Sequence, residues 1–216
     1  MFHWIWLGRQ ALPREQKDWM ETWLRMHPGW LSHLWTDENR PTLLNEACFQ
    51  ASTCLAQRSD ILRYELVLQR GGVYIDTDFE PLKNIEELVE GVDAFAGRES
   101  RDSISNALFG CTPRHCWMEK VVAELSTSFR RETTIMEQTG PVLFTRVTHA
   151  HSSVHVLDPK YFYPYSWREL NRRSERFPGA YAVHHWAYSW KAEFEAECKK
   201  CGFDTDHGAP GTAVPC

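Results

Sequence analysis

Asp76 and Asp78 are two carboxylates separated by one residue, and they follow a short apolar run, Val73 to Ile75. In extended chain, residues two apart point to the same side, so the sequence predicts both carboxylates together at a strand's C-terminal end. Such a pair suits a hard divalent cation, Mn²⁺ or Mg²⁺, which prefers oxygen ligands and can bring phosphate oxygens with it. One helix earlier, Asp60 and Arg63 lie three apart and share a face. Arginine suits bidentate recognition of phosphate or sugar hydroxyls. Ser59 and Asp60 also fit a helix start, and Asp60 with Arg63 fits a surface ion pair. Their place just ahead of the carboxylate pair favours a ligand role. A second Asp-x-Asp, at Asp204 and Asp206, has no apolar strand before it and reads as solvated tail.

The elements that must position these groups follow from periodicity and punctuation. Phe2 to Leu7 reads as a first buried strand. Pro13 opens an amphipathic helix to about His27, with Trp19, Trp23 and Leu24 on its apolar face. Leu31 to Trp35 is a second strand. A longer helix covers about Leu55 to Gln69, with Leu62, Leu66 and Leu68 as its inner stripe. Gly71-Gly72 stop it, and Val73 to Asp76 is the next strand. A short helix at Ile85 to Val89 precedes strands at Ala94 to Ala96 and Ala107 to Phe109. Helices opening at Pro113 and at Gly140-Pro141 follow, then strands at Val154 to Leu157 and Tyr181 to Val183. Alternating strands and helices argue for a single α/β domain around a mostly parallel sheet. The domain is expected over residues 1–201, with a loose Gly- and Pro-rich tail at 202–216.

Composition narrows the function classes. At 43% hydrophobic and 25% charged, the 216 residues are ordinary globular material with enough chain for a real core. A net charge of −5 gives no bulk attraction to nucleic acid. No run approaches the roughly 20 apolar residues of a membrane span. Seven cysteines at scattered spacing are no disulfide framework, so the expectation is a soluble, cytoplasmic protein. Peripheral work at the inner membrane surface would use the helix of Lys191 to Lys200, which its mixed charge marks more simply as ordinary surface. Cys198 and Cys201 form half of a zinc motif, with His207 the one nearby addition; free thiols are the simpler reading.

The pattern S-D-x-x-R-Y at Ser59 to Tyr64, followed by G-G-x-Y-x-D-x-D at Gly71 to Asp78, resembles glycosyltransferase family 32. That family includes yeast-type initiating mannosyltransferases, lipid galactosyltransferases and many bacterial capsule enzymes. The glucosyltransferase domains of large clostridial toxins share the block. Looser likenesses lie at His3 to Gly8, Pro28 to Asp37, Ser105 to Ala107, Thr139 to Pro141 and His184 to Trp190. The resemblance implies a GT-A type, Rossmann-like sheet and a metal-dependent transfer of a hexose from a UDP- or GDP-linked donor, with retention. Glycan, lipid-linked sugar and protein all stay open as acceptors, and so does a role in polysaccharide synthesis. Carried over by position, Trp6 would stack on the base, Asp60 would hold ribose or sugar hydroxyls, and Arg63 the sugar. Tyr74 would line the donor site, Asp76 would contact the ribose and the metal side, and Asp78 would ligate the metal. Asn106 would face the donor sugar, and Ser189 with Trp190 would close over the diphosphate. A third metal ligand from His185 or His184 stands against one buried and one solvated imidazole, and only one of two successive strand residues can face the site; of the two, His185 is the expected ligand. Glu80, Glu99 and Asp102 read as surface charge. Two other classes compete: a haloacid-dehalogenase type phosphatase, disfavoured by Glu80 where that motif has a small residue, and a non-catalytic carbohydrate-binding module.

Overall fold

The structure is a computed structural model and describes residues 1–187. Its six-stranded sheet consists of β1 (Phe2–Ile5), β2 (Ser32–Trp35), β3 (Gly72–Ile75), β5 (Ala94–Arg98), β6 (Ile104–Cys111) and β7 (His155–Leu157), in spatial order β2-β1-β3-β6-β5-β7. β1 pairs in parallel with β2 and β3, and β5 with β7, while β6 runs antiparallel to both its neighbours. Five strands therefore share one direction, as the alternating pattern predicts. A two-stranded ribbon of β4 (Phe79–Pro81) and β8 (Ala182–His184) stands apart from this sheet. Strands of three residues carry too little periodicity to announce β4, and its partner lies about a hundred residues away.

Side-chain alternation along the strands divides the core into two layers. Ile5, Tyr74 and Phe109 face α3 (Leu55–Arg70), α5 (Cys116–Arg131) and α7 (Pro141–His149). Phe2, Trp4, Val73 and Ile75 face the other side, against Trp23 of α1 (Arg14–Met26), Phe79 of the ribbon and Phe162. Two short helices, α2 (Glu46–Ala51) and α6 (Ile135–Gln138), escape the sequence reading, and α4 (Glu86–Val89) matches it.

Helix α1 buries a different stripe from the one expected. Trp23 is wholly buried and donates its indole N–H to the Phe79 carbonyl at 3.1 Å, but Leu24 is 37% exposed. Gln16 and His27 fill the inner face instead, one accepting from the Thr77 hydroxyl at 2.8 Å, the other accepting the Ile85 N–H at 2.9 Å. These polar contacts tie the helix to the segment on either side of β4. A stripe defined by hydrogen bonds is invisible to an apolar periodicity.

Helix α3 is buried on nearly every side, from Ser59 through Leu68, so no single stripe describes it. The helix stops at Gly71 (φ +65°), and Gly72 (φ +93°) turns the chain into β3. A Cβ at Gly71 would lie 2.6 Å from Pro113 Cδ, and one at Gly72 would lie 2.6 Å from the Met1 carbonyl oxygen. Both positions need glycine for backbone conformation and for space. Behind the turn, His3 Nε2–H donates to the Gly71 carbonyl at 2.8 Å, and its Nδ1 accepts from the Trp35 indole at 3.1 Å.

Burial pushes the His3 imidazole down to about 4 from its ordinary 6.5. The unfolded chain therefore binds a proton below pH 6.5 that the folded chain refuses until about pH 4. Stability contributed by neutral His3 is lost as pH falls through that window, by about 2–3 kcal/mol. Urea midpoints measured from pH 7 to 4 should fall more steeply in the parent protein than in His3→Asn, which cannot titrate.

Candidate active site

Strand β3 ends at Ile75, and the two carboxylates sit on the turn that leads into β4. Their convergence comes from this turn and not from extended alternation: Phe79 N–H donates back to the Asp76 carbonyl at 3.3 Å. Asp76 N–H is held by the Ala107 carbonyl of β6 at 2.8 Å. Between the two acids, Thr77 is drawn toward Gln16 of α1. Asp76, Asp78 and His184 each present a ligand atom, all within 4.8 Å of one another.

The histidine in this cluster is His184, which corrects the choice of His185. The Phe79–His184 cross-strand pair of the ribbon turns the His184 ring onto Phe79 (centroids 4.6 Å apart) and toward the carboxylates. His185, one residue on, points to the ribbon's opposite side. There Nε2–H donates to Glu80 Oε2 at 2.7 Å, the Tyr165 hydroxyl donates to Nδ1 at 2.9 Å, and the ring stacks on Trp19. Strand alternation says that the two rings diverge, but it does not say which side faces the cleft.

Asp78 is held at both of its carboxylate oxygens. Its Oδ1 accepts from His184 Nε2–H at 3.1 Å, and its Oδ2 from the Ala187 N–H at 2.8 Å. Burial alone would raise its carboxyl, but His184 and these N–H groups hold it below its ordinary value. Burial likewise opposes the charge on His184, and Asp78 overrides it, so that imidazole stands above its ordinary value. Burial pushes Asp76 up, Asp78 adds to that, and Arg63 opposes both.

Arg63 projects from α3 into the same cluster. Its guanidinium lies over the Tyr74 ring at 4.5 Å and 3.2 Å from Asp76 Oδ1, and Tyr74 donates its hydroxyl to that same oxygen. Nη1 donates to the Asn106 carbonyl at 2.9 Å, and Nη2 to the Ser59 hydroxyl at 3.2 Å. Asp60 Oδ1 is 3.4 Å from Nη2, accepts from Asn106 Nδ2 at 2.8 Å, and its Oδ2 accepts from the Thr139 hydroxyl. The helix begins after Cys54, so Ser59 and Asp60 are no cap, and the Asp60–Arg63 pair is buried, not superficial. Burial pushes the Asp60 carboxyl up to about 6 against the pull of Arg63.

A cleft of about 170 Å³ opens over this assembly, lined by Trp6, Ser59, Arg63, Tyr74, Asp76 and Asp78, with His184 and Trp186 opposite. Asp60 and Asn106 stand one layer back, bonded to each other and to Arg63, and are not part of the lining. Ser189 and Trp190 lie outside the described residues, as do the 191–200 helix and the cysteines of the tail. Several participants escape the sequence reading: Thr139, Trp186, the Ala187 N–H, and Tyr64, whose hydroxyl accepts from Asn106 and donates to the Thr139 carbonyl. Thr139 and Tyr64 sit inside quoted motifs, but nothing in their spacing announces a contact 42 to 79 residues away.

The donor set fits a divalent cation. The two carboxylates are the oxygen ligands that Mg²⁺ and Mn²⁺ prefer, and the imidazole adds a nitrogen ligand of the kind first-row transition metals accept. The buried His184 Nδ1 has no hydrogen-bond partner, so this ring keeps unused capacity beside the acids. Among the described residues, no helix is long and apolar enough to cross a membrane.

The architecture and the site together define a GT-A type glycosyltransferase fold. Among solved structures, the chain superimposes on the PaToxG glycosyltransferase with a TM-score of 0.61 at 17% identity, over 69% of this chain and 68% of that one. The glycosyltransferase domain of the YGT toxin gives 0.53 at 11% identity, over 72% and 79%. Residues 13–94 match the family model described as the glycosyltransferase sugar-binding region containing the DXD motif. A mannosyl phosphorylinositol ceramide synthase of Saccharomyces cerevisiae is 29% identical over 154 residues, 62% of this chain and 40% of that protein. The lactosylceramide 4-alpha-galactosyltransferase of Homo sapiens is 30% identical over 149 residues, 59% and 40%. The chain spans less than half the length of these relatives. The phosphatase and binding-module readings find no support in these matches.

Arg63→Ala would leave Asp60 and Asp76 without their shared cation. Stripping one partner from a buried ionic network costs about 3–5 kcal/mol. Urea unfolding should show a loss of that size, and a loss under about 1 kcal/mol, the worth of an exposed pair, would return Arg63 to a surface role.

Proposed function

We propose that this chain transfers a hexose from a UDP- or GDP-linked donor to a hydroxyl acceptor, with a divalent metal and with retention at the anomeric carbon. One observation carries the reading: two carboxylates and an imidazole gathered within 4.8 Å, in a cleft whose lining also holds Arg63 and Trp6. This combination suits a nucleotide sugar, whose phosphate charge, sugar and aromatic base would meet the carboxylate-bound cation, Arg63 and Trp6.

Each group has a task under this reading. Asp76, Asp78 and His184 would hold Mn²⁺ or Mg²⁺. When bound, the ion supplies Lewis-acid neutralisation of the charge that builds on the departing diphosphate. Trp6 offers its indole face to the base; its Nε1–H is already committed to the Gln10 carbonyl at 2.7 Å, which fixes the ring. Arg63 directs its charge toward the donor sugar and phosphates. Asp60 and Asn106 hold that guanidinium from behind and Ser59 from the cleft wall, so their contribution is orientation fixed before the donor arrives. No nucleophilic side chain is required, since the leaving diphosphate takes the acceptor's proton on the same face. Both curated relatives carry a ceramide lipid in their names, which supports a lipid-linked acceptor over a free glycan or a protein.

The test is a panel of UDP- and GDP-hexoses incubated with Mn²⁺ and no acceptor, scored for slow release of nucleoside diphosphate. Release should require the metal, stop with EDTA and return on adding Mn²⁺. Asp78→Ala should lower it by roughly 10²-fold or more, the scale of losing charge stabilisation at a leaving group, while far-ultraviolet circular dichroism stays unchanged. Full metal-supported release in that variant would remove the metal assignment, and an inverted glycosidic linkage, read by NMR in the product formed with a glycolipid acceptor, would remove retention.

A further inference from the structure

The segment 185–187 carries a feature that the transfer chemistry does not call on. Trp186 has φ +52°, a left-handed conformation that bulky side chains rarely adopt. Such a conformation persists only where its surroundings enforce it. Its effect is to aim two N–H groups at one residue. His185 N–H donates to the Asp78 carbonyl at 3.0 Å, and Ala187 N–H donates to Asp78 Oδ2 at 2.8 Å.

The enforcing contacts lie on the ribbon's outer side. The His185 ring is 4% exposed, and both its nitrogens are occupied: Nε2 by Glu80 of β4, Nδ1 by the Tyr165 hydroxyl. Its face lies on Trp19 of α1, 4.8 Å between centroids and 17° from parallel. Tyr165 acts a second time, through its carbonyl, which accepts the Trp186 indole N–H at 3.2 Å. Three separate parts of the chain thus grip the two residues on which the strained turn depends. The neighbouring His184 ring is tied by hydrogen bond to Asp78 alone, with Nδ1 unpartnered.

Resting on the reading of Asp76, Asp78 and His184 as a metal site, we propose that His185, Glu80 and Tyr165 are positioning residues that hold the Trp186 turn, and through it Asp78 and His184, in ligating geometry. They touch neither metal nor donor. Their influence travels through the backbone of residues 185–187.

The test measures Mn²⁺ binding directly, by electron paramagnetic resonance of free Mn²⁺ in the presence of UDP or GDP. Tyr165→Phe removes one hydroxyl and keeps the carbonyl; Glu80→Gln keeps a hydrogen-bonding group of the same shape. Both are milder than His185→Ala, whose cavity could unfold the region. Tyr165→Phe should weaken Mn²⁺ about 10- to 100-fold, the range for removing an outer partner of a metal ligand, and Glu80→Gln should weaken it less. Donor turnover should recover at saturating Mn²⁺. In metal-free protein, the Ala187 amide of Tyr165→Phe should exchange with solvent faster than in the parent. Val121→Ala, a core truncation in α5 remote from the ribbon, should lower stability and leave Mn²⁺ affinity alone. Mn²⁺ affinity within about twofold of the parent in Tyr165→Phe would overturn the positioning role while leaving the metal site intact. A parent protein that binds no Mn²⁺ would overturn both.

Discussion

A single buried guanidinium organises the centre of this molecule. Arg63 lies 6% exposed between Asp60 and Asp76, over the Tyr74 ring, with the Asn106 carbonyl and Ser59 hydroxyl completing its donors. A lone charge there would be prohibitively costly, and so would either carboxylate. Each makes the others tolerable. The result joins helix α3, strand β3 and strand β6 at the point where the sheet opens into the cleft. Tyr64 and Thr139 extend the same network toward α6 and α7, so that a polar seam runs through an otherwise apolar layer.

That seam explains the division of labour among the acidic residues. Asp60 faces inward and balances Arg63; Asp78 faces the cleft and is balanced by His184 and the Ala187 N–H. Asp76 touches both systems and is the most open of the three, with a quarter of its side chain exposed. Charge is therefore graded from a fully compensated interior to an acidic edge that still has room for a cation. The same grading separates residues that orient from residues that meet a ligand.

Much of this was legible before any coordinates. The strands at β1, β2 and β3 and the helices α1 and α3 follow from apolar runs bounded by proline and paired glycines, and the G-G-x-Y-x-D-x-D block names its own neighbourhood. What escaped was relational. The helix that reads as a leucine stripe is buried all round, because its polar residues find partners on other elements. The inner face of α1 is written in Gln16 and His27, not Leu24. Glu80 reads as surface charge and instead clasps His185. The choice between His184 and His185 depends on which side of β8 lies against Phe79, and a period of two carries no such sign. In each case the missing information was a contact between distant parts of the chain.

The ribbon that carries His184 joins residue 79 to residue 184, and Asp78 takes its last hydrogen bond from residue 187. Nearly the whole sheet, with its helices, can be built from chain that precedes this closure. During synthesis from the N-terminus, the acidic turn is thus made early and stays half-furnished until the last of these segments emerges. A nascent chain lacking residues 182–187 would hold its carboxylates without their histidine and without their N–H clasps.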